Sequence, residues 1–285
     1  MSEWTVAGKV CLVTGANTGI GQVTAHDLAR RGAHVFLACR SEAKTRPVID
    51  AIKADTGNEK VEFLPLDLGD LDSVRACVEQ FKARRLPLHV LVANAGLAGQ
   101  KGLTKSGFEL AFGVNHVGHA LFIRLLVDTL KASTPSRIVI VASRAHTRVK
   151  RWDLGGIQKP TKTLTGFPEY CTSKLANVYF ARALARRLEG SGVNVYSLHP
   201  GVVASDIWRK VPQPFRWLMT RSMVTVEEGA QTQIHCATAP ECSDQHGLYY
   251  VDSAPFRVAK LAEDDGNGEA LWNDTADWIG LPQAL

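Results

Sequence analysis

Six short runs of almost unbroken apolar residues recur along this chain between longer stretches of helical periodicity: Lys9 to Thr14, His34 to Ala38, Val61 to Leu66, Val90 to Ala93, Ile138 to Ala142 and Val193 to Leu198. Runs such as VLVA and IVIVA are apolar at every position. A half-exposed strand would alternate, so these read as strands covered on both faces. The intervening spacing predicts helices over Gly19 to Arg31, Leu71 to Arg84, Phe108 to Lys131 and Thr172 to Glu189. Such alternation joins parallel strands by right-handed crossovers, which predicts an α/β fold: a doubly wound parallel sheet between two helical layers. No Pro/Gly/Ser-rich linker or internal repeat interrupts the 285 residues, so one domain over 1–285 is expected.

Directly after the first strand comes TGANTGIG, Thr14 to Gly21, at the opening of the first helix. Gly15 permits the tight turn, Gly19 lets backbone approach a pyrophosphate, and Gly21 allows close helix–sheet packing. The helix N-terminus then faces the phosphates. A glycine turn placed between strand and helix marks a Rossmann-type dinucleotide site. At the end of the second strand, where an NAD site carries Asp or Glu, this chain has Ala38, Cys39 and Arg40. No carboxylate repels a 2′-phosphate there and Arg40 can pair with one, so NADP(H) is the expected cofactor. Asp67 and Leu68 end the third strand, at the crevice edge where an adenine would lie.

Bulk properties narrow the function classes. The formal charge of +5 is spread along the chain with no basic run, which argues against nucleic-acid binding. The six cysteines include no C-x-x-C pair and read as reduced thiols. The opening MSEWTVAGKV enters a strand pattern at once, and no uninterrupted apolar run approaches the ~20 residues of a membrane span. A cytoplasmic location without a transmembrane segment is expected. His116 and His119 form H-x-x-H, but no third ligand is evident, so helix packing is favoured over a metal.

The segment Glu169 to Lys174 begins a predicted helix and puts Tyr170 and Lys174 on one face. A free tyrosine is a poor base at neutral pH, with a pKa near 10. An ammonium about one turn away would favour the phenolate, letting Tyr170 exchange a proton with a substrate oxygen during hydride transfer. Ser143 closes the fifth strand at the carboxyl edge, where its hydroxyl could polarise a carbonyl. Asn115, a poor interior helix residue, could bond backbone and position a water beside Lys174.

Taken together, TGANTGIG, the Asn94-Ala95-Gly96 turn, Asn115, Ser143, Tyr170 with Lys174, and Pro200-Gly201 resemble the short-chain dehydrogenase/reductase family in order and spacing, over roughly Ala7 to Gly280. The resemblance implies a catalytic tetrad of Asn115, Ser143, Tyr170 and Lys174. It implies dinucleotide contacts from Gly15, Asn17, Thr18, Gly19, Ile20, Gly21, Asn94, Ala95 and Gly96, with Tyr170, Lys174, Pro200, Gly201, Val203 and Ser205 around the nicotinamide. LACR (37–40), VNHVGH (114–119), SKLANV (173–178), HPG (199–201) and EGAQT (228–232) resemble the retinol dehydrogenase branch, which also points to NADP(H). Two departures stand out: Ala93 replaces the first Asn of the usual N-N-A-G, and the interval from Ser143 to Tyr170 is about twice that of many relatives.

The expected activity is interconversion of an alcohol and a carbonyl on a small hydrophobic substrate, retinal-like or another aldehyde or ketone. A steroid or general carbonyl reductase, or a catalytically silent dinucleotide sensor, are the alternatives. Substrate contacts are expected from Trp208, Phe215, Trp217 and Met219, in an aromatic and basic stretch read as a lid near 204–225. Its tryptophans and arginines would also suit peripheral contact with a membrane surface. A homodimer or homotetramer through the long helices is the expected assembly.

Overall fold

The computed structural model describes residues 4–201 and 224–285. The six expected strands form: β1 (Val10–Thr14), β2 (His34–Cys39), β3 (Val61–Pro65), β4 (Val90–Ala93), β5 (Ser136–Val141) and β6 (Val193–His199). Two short strands extend them, β7 (Tyr249–Val251) and β8 (Ala254–Pro255), giving the order β3-β2-β1-β4-β5-β6-β7-β8. All pairings are parallel except β7 with β8. β1 through β6 are too short in polar residues to face water, and alternate residues of each enter opposite cores. Val10 and Leu12 join one cluster while Cys11 and Val13 join the other, and Phe36 and Ala38 oppose Val35, Leu37 and Cys39 in the same way.

One core is closed by α1 (Gly19–Arg30), α2 (Glu42–Thr56) and α7 (Val226–Thr238). The other is closed by α3 (Leu71–Lys82), α4 (Leu110–Phe112), α5 (Gly118–Lys131), α6 (Phe167–Leu188) and, outermost, α8 (Asp265–Ile279). A π turn over Gly113–Val117 joins α4 to α5, so Leu110–Lys131 is one helix, long and apolar enough to cross a membrane but largely buried on the sheet. The fold is therefore the expected three-layer α/β/α doubly wound sheet. Strand order reverses between β1 and β4, the switch point where the carboxyl ends of such strands leave a ligand crevice.

Three helices and the last two strands escaped the sequence reading. α2 contains Pro47, and a proline inside a helical pattern argues for a break, yet tertiary packing of Ile49 and Ile52 keeps the helix going. α6 starts at Phe167, not Thr172, because Pro168 suits a first helical turn. The expected loop from Arg144 to Pro168 opens with a 3₁₀ helix, Arg144–Arg148.

Candidate active site

The glycine turn is fixed by what it touches. Gly15 has φ +65, and a Cβ there would stand 2.8 Å from Ala95 Cβ. A Cβ on Gly21 would meet Asn94 Nδ2 at 2.3 Å and Gly15 O at 2.6 Å, so the turn and the Asn94-Ala95-Gly96 loop interlock only with hydrogen at both positions. Asn94 Nδ2 seals the contact by donating to Thr14 O at 2.8 Å. Asn17, Thr18, Gly19 and Ile20 follow across the start of α1, with Thr18 as its N-cap and Gly19 at φ +58. The first turn of α1 holds no acidic side chain, so its positive end keeps its attraction for a phosphate.

Arg40 emerges exposed at the end of β2 and makes no ion pair among the described residues. Asp67 is half-buried beyond β3, its Oδ1 accepting the Gly69 N–H at 2.9 Å, and Leu68 is buried. Pro200 and Gly201 leave β6 at the same sheet edge, Gly201 with φ +87. Val203, Ser205, Trp208, Phe215, Trp217 and Met219, and with them most of the expected lid, lie outside the described residues.

The four expected catalytic side chains converge at the carboxyl ends of β4 and β5. Asn115 sits in the π turn rather than in regular helix, and such turns recur at functional sites. Its amide clamps one backbone unit from both sides: Nδ2 donates to Leu97 O at 3.0 Å while Oδ1 accepts the Leu97 N–H at 2.9 Å. Nδ2 also donates to Ser173 Oγ at 2.9 Å, and Ser173 Oγ donates to Tyr170 O at 2.7 Å. Lys174 Nζ donates to Val141 O at 2.8 Å and lies 5.8 Å from the Tyr170 ring centre. Gly96 brings this group to the dinucleotide loop, since a Cβ there would lie 3.3 Å from Asn115 Oδ1 and 3.5 Å from Lys174 Nζ. Ser143 caps the 3₁₀ turn, accepting the Ala145 N–H at 3.1 Å, and its hydroxyl is near enough to the Tyr170 phenol to favour the phenolate.

Electrostatics refine the expected roles. Burial pulls the Lys174 ammonium down to about 8. The same loss of water pushes the Tyr170 phenol above its ordinary value, with the Ser143 hydroxyl opposing. The Lys174 ammonium lies 5.8 Å from the Tyr170 ring, and without a bound dinucleotide burial keeps the phenol protonated at neutral pH.

The residues present fit a dinucleotide. Of the three donors on Lys174, one is engaged by a described residue, which leaves two for ligand hydroxyls. Asn94 Oδ1 is buried beside the glycine turn without a partner. Among the described residues there is no group of three metal-ligating side chains, and His116 instead bonds Thr275 Oγ1 at 3.1 Å between the rings of Phe112 and Phe180.

A family model described as short chain dehydrogenase matches residues 9–214. The chain belongs to the short-chain dehydrogenase family. Human retinol dehydrogenase 12 is 42% identical over 277 residues, covering 96% of this chain and 87% of that protein. Human retinol dehydrogenase 11 is 43% identical over 278 residues with the same coverage. Among solved structures, a protein from Beutenbergia cavernae described as an NAD(P)-dependent gluconate 5-dehydrogenase with bound NADP is 28% identical, with TM-score 0.71 over 88% of this chain and 97% of that one. An uncharacterised protein from Mycobacterium Paratuberculosis has TM-score 0.79 and 29% identity over the full length of both chains. Within the family this short-chain dehydrogenase is retinol dehydrogenase-like.

Sequence reasoning missed several groups that hold the site of this short-chain dehydrogenase in place. His146 donates from Nδ1 to Ser143 O at 2.7 Å and accepts the Ala259 N–H on Nε2 at 3.1 Å, tying the serine turn to a segment more than a hundred residues away. Thr14, at the head of the glycine turn, receives the N–H groups of both Asn94 and Ala95 at 2.9 Å. His199 Nδ1 and Tyr249 Oη are buried without partners on neighbouring strands at the same edge. Only the TGANTGIG and HPG strings hinted at any of these, because the partners lie far apart in the chain.

Proposed function

We propose that this chain is an NADP(H)-dependent oxidoreductase that interconverts an alcohol and a carbonyl on a hydrophobic, retinal-like substrate. The observation that carries the reading is the convergence of Tyr170, Ser143, Lys174 and Asn115 beside a glycine turn at the switch point. The chemistry a nicotinamide dinucleotide would supply in this crevice is gain or loss of a hydride. Gly15, Gly19 and Gly21 would give its phosphates close backbone, and the two further donors of Lys174 would hold its ribose hydroxyls. Arg40 gives a 2′-phosphate a charge-assisted contact that a carboxylate at this position would forbid. Names given to the relatives, retinol dehydrogenases 11 and 12, support a retinoid-like aldehyde or alcohol.

In reduction, the Ser143 hydroxyl donates to the substrate oxygen and polarises the carbonyl. Tyr170, protonated, gives its phenolic proton to that oxygen as negative charge develops on it. Lys174 then faces a phenolate and stabilises it, so its charge matters most after the proton has left. Asn115 keeps Leu97 and Ser173 in register, which fixes the backbone on either side of the tyrosine. Oxidation runs the same path backwards, with Tyr170 receiving the proton.

The test is spectrophotometric: purified chain, NADPH, and either all-trans-retinal or a short aliphatic aldehyde. NADPH consumption that depends on the aldehyde is expected, and Tyr170→Phe should lose on the order of 10²–10⁴ in rate while binding NADPH normally. Tight NADPH binding with no turnover of any carbonyl or alcohol would leave a dinucleotide sensor in place of an enzyme. A Tyr170→Phe variant keeping more than about a tenth of the rate would remove the tyrosine from proton transfer.

A further inference from the structure

The two members of the H-x-x-H pair on the helix after β4 serve different ends. His119 is buried at the junction of the dinucleotide turn and the catalytic turn. Its Nε2 lies 2.9 Å from Thr14 Oγ1 and its Nδ1 lies 3.0 Å from the main-chain oxygen of Asn115. Proton counting fixes the direction of every bond. Thr14 Oγ1 accepts the N–H of Ala95 and shares the N–H of Asn94 with Val92 O, 3.0 Å from the same nitrogen. The Asn115 carbonyl can only accept, so the ring proton sits on Nδ1 and is donated to it, and in the neutral ring Nε2 is bare and takes the Thr14 hydroxyl proton. Burial disfavours a second ring proton and pulls the imidazolium down to about 4.

We propose that His119, as the neutral Nδ1–H tautomer, is a positioning residue that couples the seating of the dinucleotide to the geometry of the Asn115 turn beside Lys174. One arm grips Thr14, and through it the N–H groups of the Asn94-Ala95 loop that interlocks with the glycine turn. The other arm grips the carbonyl of the residue whose amide holds Leu97 and Ser173. A shift of the glycine turn on ligand binding is thus passed to the catalytic turn through one rigid ring. The inference rests on the proposed function, its kinetic arm on the oxidoreductase reading and its affinity arm on NADP(H) binding, while the tautomer rests on neither.

The two arms can be cut separately. A glutamine amide reaches as far as Nε2 and an asparagine amide only as far as Nδ1. His119→Gln should keep the Thr14 arm, holding NADPH affinity within about threefold while kcat falls about tenfold. His119→Asn should keep the Asn115 arm, with kcat retained and NADPH Kd, from fluorescence titration without substrate, raised about tenfold. His119→Leu should show both losses. Equal losses in Gln and Asn variants, or neither loss beside a lowered Tm, would reduce His119 to packing. Nitrogen-15 NMR on the unmodified chain, with His119 assigned by its disappearance in His119→Gln or by selective labelling, should show the proton on Nδ1. A proton on Nε2 overturns the proposal even where a variant fails to fold. An unmodified chain that reduces no carbonyl would overturn the enzymatic reading and leave the tautomer and Kd measurements to decide the coupling.

Discussion

Lys174 and Tyr170 are moved in opposite directions by one cause. Exclusion of water disfavours an ammonium and a phenolate alike, so the lysine falls to about 8 while the phenol rises above its ordinary value. The group that changes charge nearest neutrality is the lysine, and it loses its charge as pH rises. The kcat/KM for carbonyl reduction should therefore decline through about pH 8. A pH–rate profile flat to pH 10 would assign the basic limb to Tyr170 and deny Lys174 a role in its charged form. At the other end of the crevice, Arg40→Asp replaces an attraction for a 2′-phosphate with a repulsion. A charge-assisted contact of roughly 1.5–3 kcal/mol corresponds to about ten- to a hundredfold, so the preference of NADPH over NADH should shrink or invert by that factor. Unchanged or tighter NADPH binding in titrations of that variant would move the phosphate site elsewhere.

The element that sets the site is the helix Leu110–Lys131 with its π turn. A Cβ on Gly118 would lie 2.2 Å from Leu68 O, and one on Gly113 would lie 2.5 Å from Thr104 Cγ2. Gly118 thus lets the helix lie against the loop after β3, which holds Asp67 and Leu68, and Gly113 lets it lie against the loop after β4. Gly118→Ala should push the two apart, at a cost of about 1–3 kcal/mol for overpacking, and weaken dinucleotide binding with it. Thermal melting and NADPH titration together check this: a lower Tm with unchanged Kd would confine Gly118 to packing. The helix itself was legible from its 3.6-residue spacing, since Phe112, Leu121, Phe122 and Leu126 line one core. The π turn was not, because one extra residue in a turn leaves the apolar pattern nearly intact while rotating Asn115 onto Leu97. Similarly, the placement of Tyr170 and Lys174 on one helix face followed from spacing, whereas their loss of solvent followed from neighbours that spacing does not reveal.

Over the whole molecule, α8 packs on α6 and carries Trp272 into the core. The ring stacks on Phe180, its Nε1 donates to Gln283 O at 2.7 Å, and the guanidinium carbons of Arg187 and Arg124 stand 4.2 and 4.7 Å from its centre. Arg124 further donates to the carbonyls of Pro282 and Ala284, so the C-terminal segment lies against α5. These contacts occupy part of the long-helix surface that the sequence reading offered to a second copy. Trp272→Ala should cost about 3–5 kcal/mol, as burial of so large a side chain implies. Tm should fall by about 10 °C while kcat at 25 °C stays near that of the unmodified chain. A fall in kcat without loss of stability would tie α8 to the site.

What the sequence determined by itself is what short-range physics writes into it. Unbroken apolar runs specify buried parallel strands, a glycine turn specifies a tight passage from strand to helix, and an i, i+4 Tyr/Lys pair specifies a shared helix face. Tertiary structure alone decided the rest. The tautomer of His119, the tie from His146 to Ala259, and the protonation of Tyr170 and Lys174 depend on hydrogen bonds and desolvation between groups tens to over a hundred residues apart. Such terms arise only when the sheet closes and brings the ends of β1, β4, β5 and β6 to one edge, because a lone pair or a buried charge acquires its energy from the groups that surround it.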